Sequence, residues 1–125
     1  MLNTTIITGR LTKVPELKHV GESQTAVTNF TLAVERDFAD DNNERKADFI
    51  PVVAWNGLAK FITGNFGKGG ALSVQGKLQS RNWDDAEGKK HYAVELIADK
   101  AYFSGESKKS DGIVSEETED MYMVG

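Results

Sequence analysis

Phe49 and Trp55 lie six residues apart in the stretch ADFIPVVAW, Ala47 to Trp55. In a strand, residues two apart point the same way, so Phe49, Pro51, Val53 and Trp55 share one side and Ile50, Val52 and Ala54 the other. The second set reads as core. The first would hold two flat π-surfaces roughly 20 Å apart at ~3.3 Å per residue, a spacing that could present them to something long. The same pattern also fits a strand covered on both faces, with both rings buried. A second stretch has a related character. From Ala71 to Trp83, the residues Ser73, Gln75, Lys77, Gln79, Arg81 and Trp83 alternate with Leu72, Val74, Gly76 and Leu78, so that a polar, basic row ends in an indole.

Covalent and metal chemistry find little to work with. The chain has no cysteine, hence no thiol nucleophile, thiolate metal site or disulfide, and nothing points to an oxidising compartment. His19 and His91, the two histidines, sit near loop or strand starts and read as exposed or hydrogen-bonded rather than as metal ligands. Two acidic clusters, Asp40, Asp41, Glu44 and Asp84, Asp85, Glu87, fall at expected loop tips without a basic or histidine constellation beside them. A nuclease that works through a carboxylate-bound metal is therefore not expected. The first cluster also lacks the glycine and distal glutamate of a calcium loop. No catalytic residue, metal or cofactor is assigned.

The 125 residues suffice for one domain with a core, and 39% hydrophobic with 27% charged residues is ordinary for a soluble globular chain. The longest apolar run, FIPVVAW, is far below the ~20 residues of a membrane helix, and LNTTIITGRL alternates instead of forming a secretory signal. A cytoplasmic protein is expected. Its net charge of −4 is unevenly placed: of 15 basic and 19 acidic residues, two and six fall between Ser104 and Gly125, leaving thirteen of each before that point. The acidic balance thus does not argue against a polyanionic ligand for the body of the chain.

These side chains need elements to hold them. Met1 to Leu11 alternates β-branched residues and reads as a strand, with Gly9 marking a bulge or bend. KVPELKHVGES reads as a bend and loop. TAVTNFTLAVER resumes the alternation, with Phe30, Leu32 and Val34 on one side, and that strand ends at Phe38. ADDNNER is a solvent loop, and a third strand runs from about Lys46 to Trp55. Asn56 reads as the cap of a short helix whose Leu58, Phe61, Ile62 and Phe66 form one apolar stripe. GKGG at Gly67 to Gly70 ends it. A fourth strand follows to Trp83, then a hairpin connection with Gly88 at positive φ, then a fifth strand from His91 to Phe103. Three strands, a helix and two strands is the order of an OB-fold, an all-β, five-stranded Greek-key barrel. Residues 1–103 are expected to form this domain, and 104–125 a flexible acidic tail.

In this order, ITGRLTKVPEL, VTNFTLAVERDF, ADFIPVVAWNGLAKF, GKGGALSVQGKLQSRNW and YAVELIADKAYF resemble the bacterial and phage single-stranded DNA-binding proteins of the homotetrameric OB-fold type, over roughly residues 1–103. The resemblance implies sequence-independent binding of single-stranded DNA in replication, recombination and repair, with bases stacked on Phe38, Phe49, Trp55 and Trp83. Cations would then follow the phosphates, and Arg10, Lys18, Arg36, Lys68, Lys77 and Arg81 are the candidates because they flank the ring-bearing face; Lys77 and Arg81 are in phase with Trp83. Pro51 stands where relatives carry a basic or polar residue, and since it cannot donate to a ladder, that part of the strand should be an edge or carry a bulge. The resemblance further implies a homotetramer, for which the first strand offers an exposed, β-branched edge. It also implies a tail that recruits replication and repair proteins, although EETEDMYMVG lacks the family's usual terminal Asp-Ile-Pro-Phe letters. An RNA-binding or protein-binding OB module is the competing reading, since the fold does not fix the ligand.

Overall fold

A computed structural model describes residues 1–105 of the chain; the acidic tail expected from Ser104 onward lies almost wholly outside the described residues. Six strands and one helix follow in order: β1 (Thr5–Leu11), β2 (Lys18–Val20), β3 (Thr25–Ala39), β4 (Arg45–Trp55), α1 (Asn56–Asn65), β5 (Ala71–Asp84) and β6 (Lys90–Phe103). The strands pair in the order β1-β5-β6-β4-β3-β2, and β1 also pairs with β3. That last contact closes β1, β5, β6, β4 and β3 into a five-stranded ring, the OB-fold anticipated from element order.

Closure depends on a short segment of β1. Thr5 to Arg10 pairs with Gly76 to Ala71 of β5, while Arg10 and Leu11 pair with Ala33 and Leu32 of β3. Gly9 sits at this hand-over, where a β-carbon would come within 2.7 Å of the Ala33 carbonyl oxygen, so the expected bend is a close backbone approach that only glycine permits.

The inward residues are those that alternation singles out. Phe30 and Leu32 of β3, Val52 and Ala54 of β4, Leu72 and Val74 of β5 and Leu96 of β6 are buried, and Leu58, Ile62 and Phe66 from the helix and its end complete the core. Phe66 stacks on Phe103 with centroids 4.5 Å apart, and Phe61 meets both edge-on. Beyond this core the β3–β4 and β5–β6 pairs continue as two exposed arms, the second paired as far as Asp84 opposite Lys90.

Two local expectations are corrected. Lys18–Val20 is a short strand, not loop; its three residues are all exposed and pair with Val27–Thr25, so no apolar alternation could announce it. Nor does Asn56 cap the helix. Trp55 holds the cap position in extended conformation without a side-chain cap bond, and Asn56 turns the chain into the helix at φ 55°, a region asparagine tolerates better than most residues.

Candidate nucleic-acid interface

Residues paired across neighbouring strands point to the same side of a sheet, so the registers define which side chains stand together. Lys18 pairs with Val27 and Val27 with Trp55, giving one row across β2, β3 and β4. Arg10 pairs with Ala33 and Ala33 with Phe49, a parallel row across β1, β3 and β4. A third row runs through Asn29, Val53, Ile97 and Lys77. On β5 the same face continues through Gln79, opposite Glu95, Arg81, opposite Ala93, and Trp83, opposite His91. Phe49, Trp55 and Trp83 thus share one face of a sheet four strands wide, with Arg10, Lys18, Lys77 and Arg81 in the same phase.

All four singled-out rings are on the surface: Phe38 is 85%, Phe49 65%, Trp55 41% and Trp83 41% exposed. Between Trp55 and Arg81 lies a groove of about 650 Å3, with Asn29, Thr31, Pro51 and Ile97 among its lining residues and Lys13 beside it. Next along β5, the Arg81 guanidinium carbon sits 4.6 Å from the centroid of the Trp83 ring, a cation over a π-face. The imidazole of His91 stacks on the same indole at 5.5 Å with 19° between the planes, and its Nε2 lies 2.8 Å from Asp85 Oδ2.

Pro51 explains its own position. The Thr31 carbonyl accepts a hydrogen bond from the Thr12 N–H, so it points away from β4, and the Thr31–Pro51 pair is one without ladder bonds. The missing N–H of Pro51 therefore falls on the outer side of β4, one residue before that side begins to pair with β6 at Val52. The edge expected from sequence is present.

Other candidates are placed differently. Arg36 does not flank the ring-bearing face. Its Nη2 donates to Asp48 Oδ1 at 2.8 Å and its Nε to both carboxylate oxygens at 3.3 Å, and Asp48, next to Phe49, points to the opposite side of β4. That hydrogen bond holds the Asp48 carboxyl below its ordinary value and raises Arg36. Phe38 lies inside an irregular stretch where Glu35 to Ala39 of β3 spans four residue steps against two, Ala47 to Arg45, on β4. It stands at the end of the β3–β4 arm, away from the regular rows. Lys68 lies in the loop after the helix, next to Gly69, whose carbonyl accepts a bond from Arg10 Nη1 at 2.9 Å.

The two acidic tips share one structural role. Asp40 Oδ1 accepts from the N–H groups of Asn42 and Glu44, and Asp85 Oδ1 accepts from those of Glu87 and Lys89. In each the following turn carries a residue at positive φ, Asn43 at 62° and the anticipated Gly88 at 80°. These carboxylates build turns. Among the described residues, no group of three acids or histidines could hold a metal ion, and no helix is long and apolar enough to cross a membrane.

Lys13, Asn29, Glu95 and His91 also belong to the face or its groove and were not singled out from sequence for it. The alternation of HYAVELIAD held the signal for two of them, since His91, Ala93, Glu95 and Ile97 share a phase opposite to Leu96. Lys13 follows the end of a strand, where no period applies.

The chain belongs to the single-strand binding protein family, whose model matches residues 2–104. It is 43% identical over 103 residues to a single-stranded DNA-binding protein of Caldanaerobacter subterraneus subsp. tengcongensis, covering 82% of this chain and 68% of that one. It is 40% identical over 110 residues to single-stranded DNA-binding protein 2 of Clostridium acetobutylicum, covering 88% and 82%. With single-stranded DNA-binding protein 1 of Lactococcus lactis subsp. lactis it shares 40% over 112 residues, or 90% and 73%.

Proposed function

We propose that this protein binds single-stranded DNA without regard to sequence and protects it during replication, recombination and repair. One observation carries the reading: three exposed rings, Phe49, Trp55 and Trp83, share one sheet face, and a cation stands in the same row as, or directly over, each of them. A binder of any unpaired strand can use only what all nucleotides share, a flat base and a phosphate. Stacking on a ring is worth about 1 to 3 kcal/mol per base. Phe49, Trp55 and Trp83 take bases along the face and Phe38 takes one at the end of the arm. Arg10, Lys18, Lys77 and Arg81 follow the phosphates, with Lys68 beside Arg10; Arg36 serves mainly to hold the β3–β4 arm through Asp48. No chemical step is involved, and labelled single-stranded DNA incubated with the protein and magnesium stays intact. Competition between oligo-dT and oligo-U tests the ligand: dT displaces U at far lower concentration, whereas equal or reversed preference would point to an RNA module.

The protein assembles as a homo-oligomer, by family resemblance a tetramer. β1 supports this, because Thr5 to Thr8 pair only with β5 and leave their other edge without a strand among the described residues. Sedimentation of a tetramer supports the assembly, and a monomer at micromolar concentration opposes it. The acidic tail recruits replication and repair proteins. A pull-down comparing the full chain with one ending at Ser110 tests this, equal recovery being the negative result.

A further inference from the structure

Among the described residues that line the groove one is a carboxylate, Glu95, and a fixed negative charge on the wall of a groove read as a phosphate path calls for a reason. Its side chain is only 18% exposed, against 59% for Arg81, and its Oε1 lies 3.4 Å from Arg81 Nε. The same guanidinium lies over the Trp83 ring. Glu95, Arg81 and Trp83 therefore form a chain of contacts in which an acid stands beside the Nε of a cation whose central carbon lies over the indole.

Resting on the reading of this face as a single-strand interface, we propose that Glu95 is a positioning residue that takes the place of a phosphate beside Arg81 and holds the guanidinium on Trp83 until a strand binds. The strand then exchanges with both: a phosphate takes the guanidinium from Glu95, and a base takes its place on the indole. Two gains follow for the unoccupied protein. The charge of Arg81 is satisfied beside a largely buried acid, and part of the exposed indole is covered. The exchange also sets affinity below what the ring and cation could deliver together, because an internal ion pair must be given up for each strand bound.

The test is a double-mutant cycle with Glu95→Gln and Arg81→Gln, read by oligo-dT binding and, in a Trp55→Phe background that isolates Trp83, by emission of the unliganded protein. Glu95→Gln should tighten oligo-dT binding about three- to tenfold at low salt and steepen the salt dependence by up to about 0.7 in log–log slope, one more phosphate neutralised. In the Arg81→Gln background the same change should gain less than about twofold. The emission of unliganded Trp83 should shift in Glu95→Gln, as the guanidinium leaves the ring, and should shift no further when Arg81→Gln is added. An equal affinity gain in both backgrounds would reduce Glu95 to simple repulsion of DNA and overturn the proposal, as would unchanged Trp83 emission in Glu95→Gln. The emission readout needs no DNA, so failure of the parent protein to bind oligo-dT would sink the single-strand reading without being confused with failure of this one.

Discussion

Arg10 and Phe49 stand at the two ends of one row across three strands, with Ala33 between them, so a cation and a ring are separated by two strand spacings, about 10 Å. Lys18 and Trp55 repeat the arrangement across Val27. Charge and π-surface are thus registered by the backbone ladder itself, through pairings far apart in sequence.

This placement separates two arginines that look alike in the sequence. Arg10→Gln should reduce the salt slope of oligo-dT binding by up to about 0.7, the share of one phosphate on a single strand. Arg36→Gln, on the far side and paired with Asp48, should change the slope by much less than that. With the body formally neutral, the slope of the parent protein should itself be shallow; one matching eight or more neutralised phosphates would reject a stacking-dominated interface. Binding isotherms at four or five salt concentrations suffice.

Thr28 is fully buried, and its hydroxyl has no hydrogen-bond partner among the described residues. Thr28→Val keeps the shape and removes the stranded polar atom, so it should stabilise the domain by about 1 kcal/mol, read by chemical denaturation. Unchanged or lower stability would show that the hydroxyl is satisfied in solution.

At Gly76 the β5–β6 register shifts, and an added β-carbon would run into the carbonyl of Ile97. The obstacle is backbone, which cannot swing aside. Gly76→Ala should therefore cost about 1 to 3 kcal/mol, measured as a fall in the denaturation midpoint.

The β5–β6 arm should loosen in acid. The hydrogen bond from His91, followed by the Lys89 N–H, holds the Asp85 carboxyl below its ordinary value of 3.8. A carboxyl depressed on folding contributes its stability in full above that value and loses it as pH falls through the lower folded one. Protection of the amides of residues 84–91, taken relative to the intrinsic exchange rate at each pH, should then fall below about pH 4, and Asp85→Asn should remove that dependence while leaving protection at pH 7 lower than in the parent.

Much of this was legible in the chain because strand alternation is local. The faces of Phe49, Trp55 and Trp83 follow from counting by two, and the core stripe of the helix from spacings of three and four. What stayed hidden depends on partners or on broken periods. Arg36 looked like a groove cation because its bond to Asp48 is set by the β3–β4 register. The phase of Phe38 was lost to the irregular stretch after Glu35, and β2 has no apolar residue pattern to betray it. Glu95 was in plain phase with the groove, but its meaning required knowing that Arg81 lies beside it.

The most direct measurement is intrinsic fluorescence during titration with oligo-dT, because Trp55 and Trp83 are the only tryptophans and both are exposed on the sheet face proposed to meet the strand. Strong quenching that saturates together with the anisotropy of labelled DNA is the predicted result. Emission that stays constant while the DNA is shown to be bound would mean that bases do not meet these rings, and the interface drawn here would be contradicted.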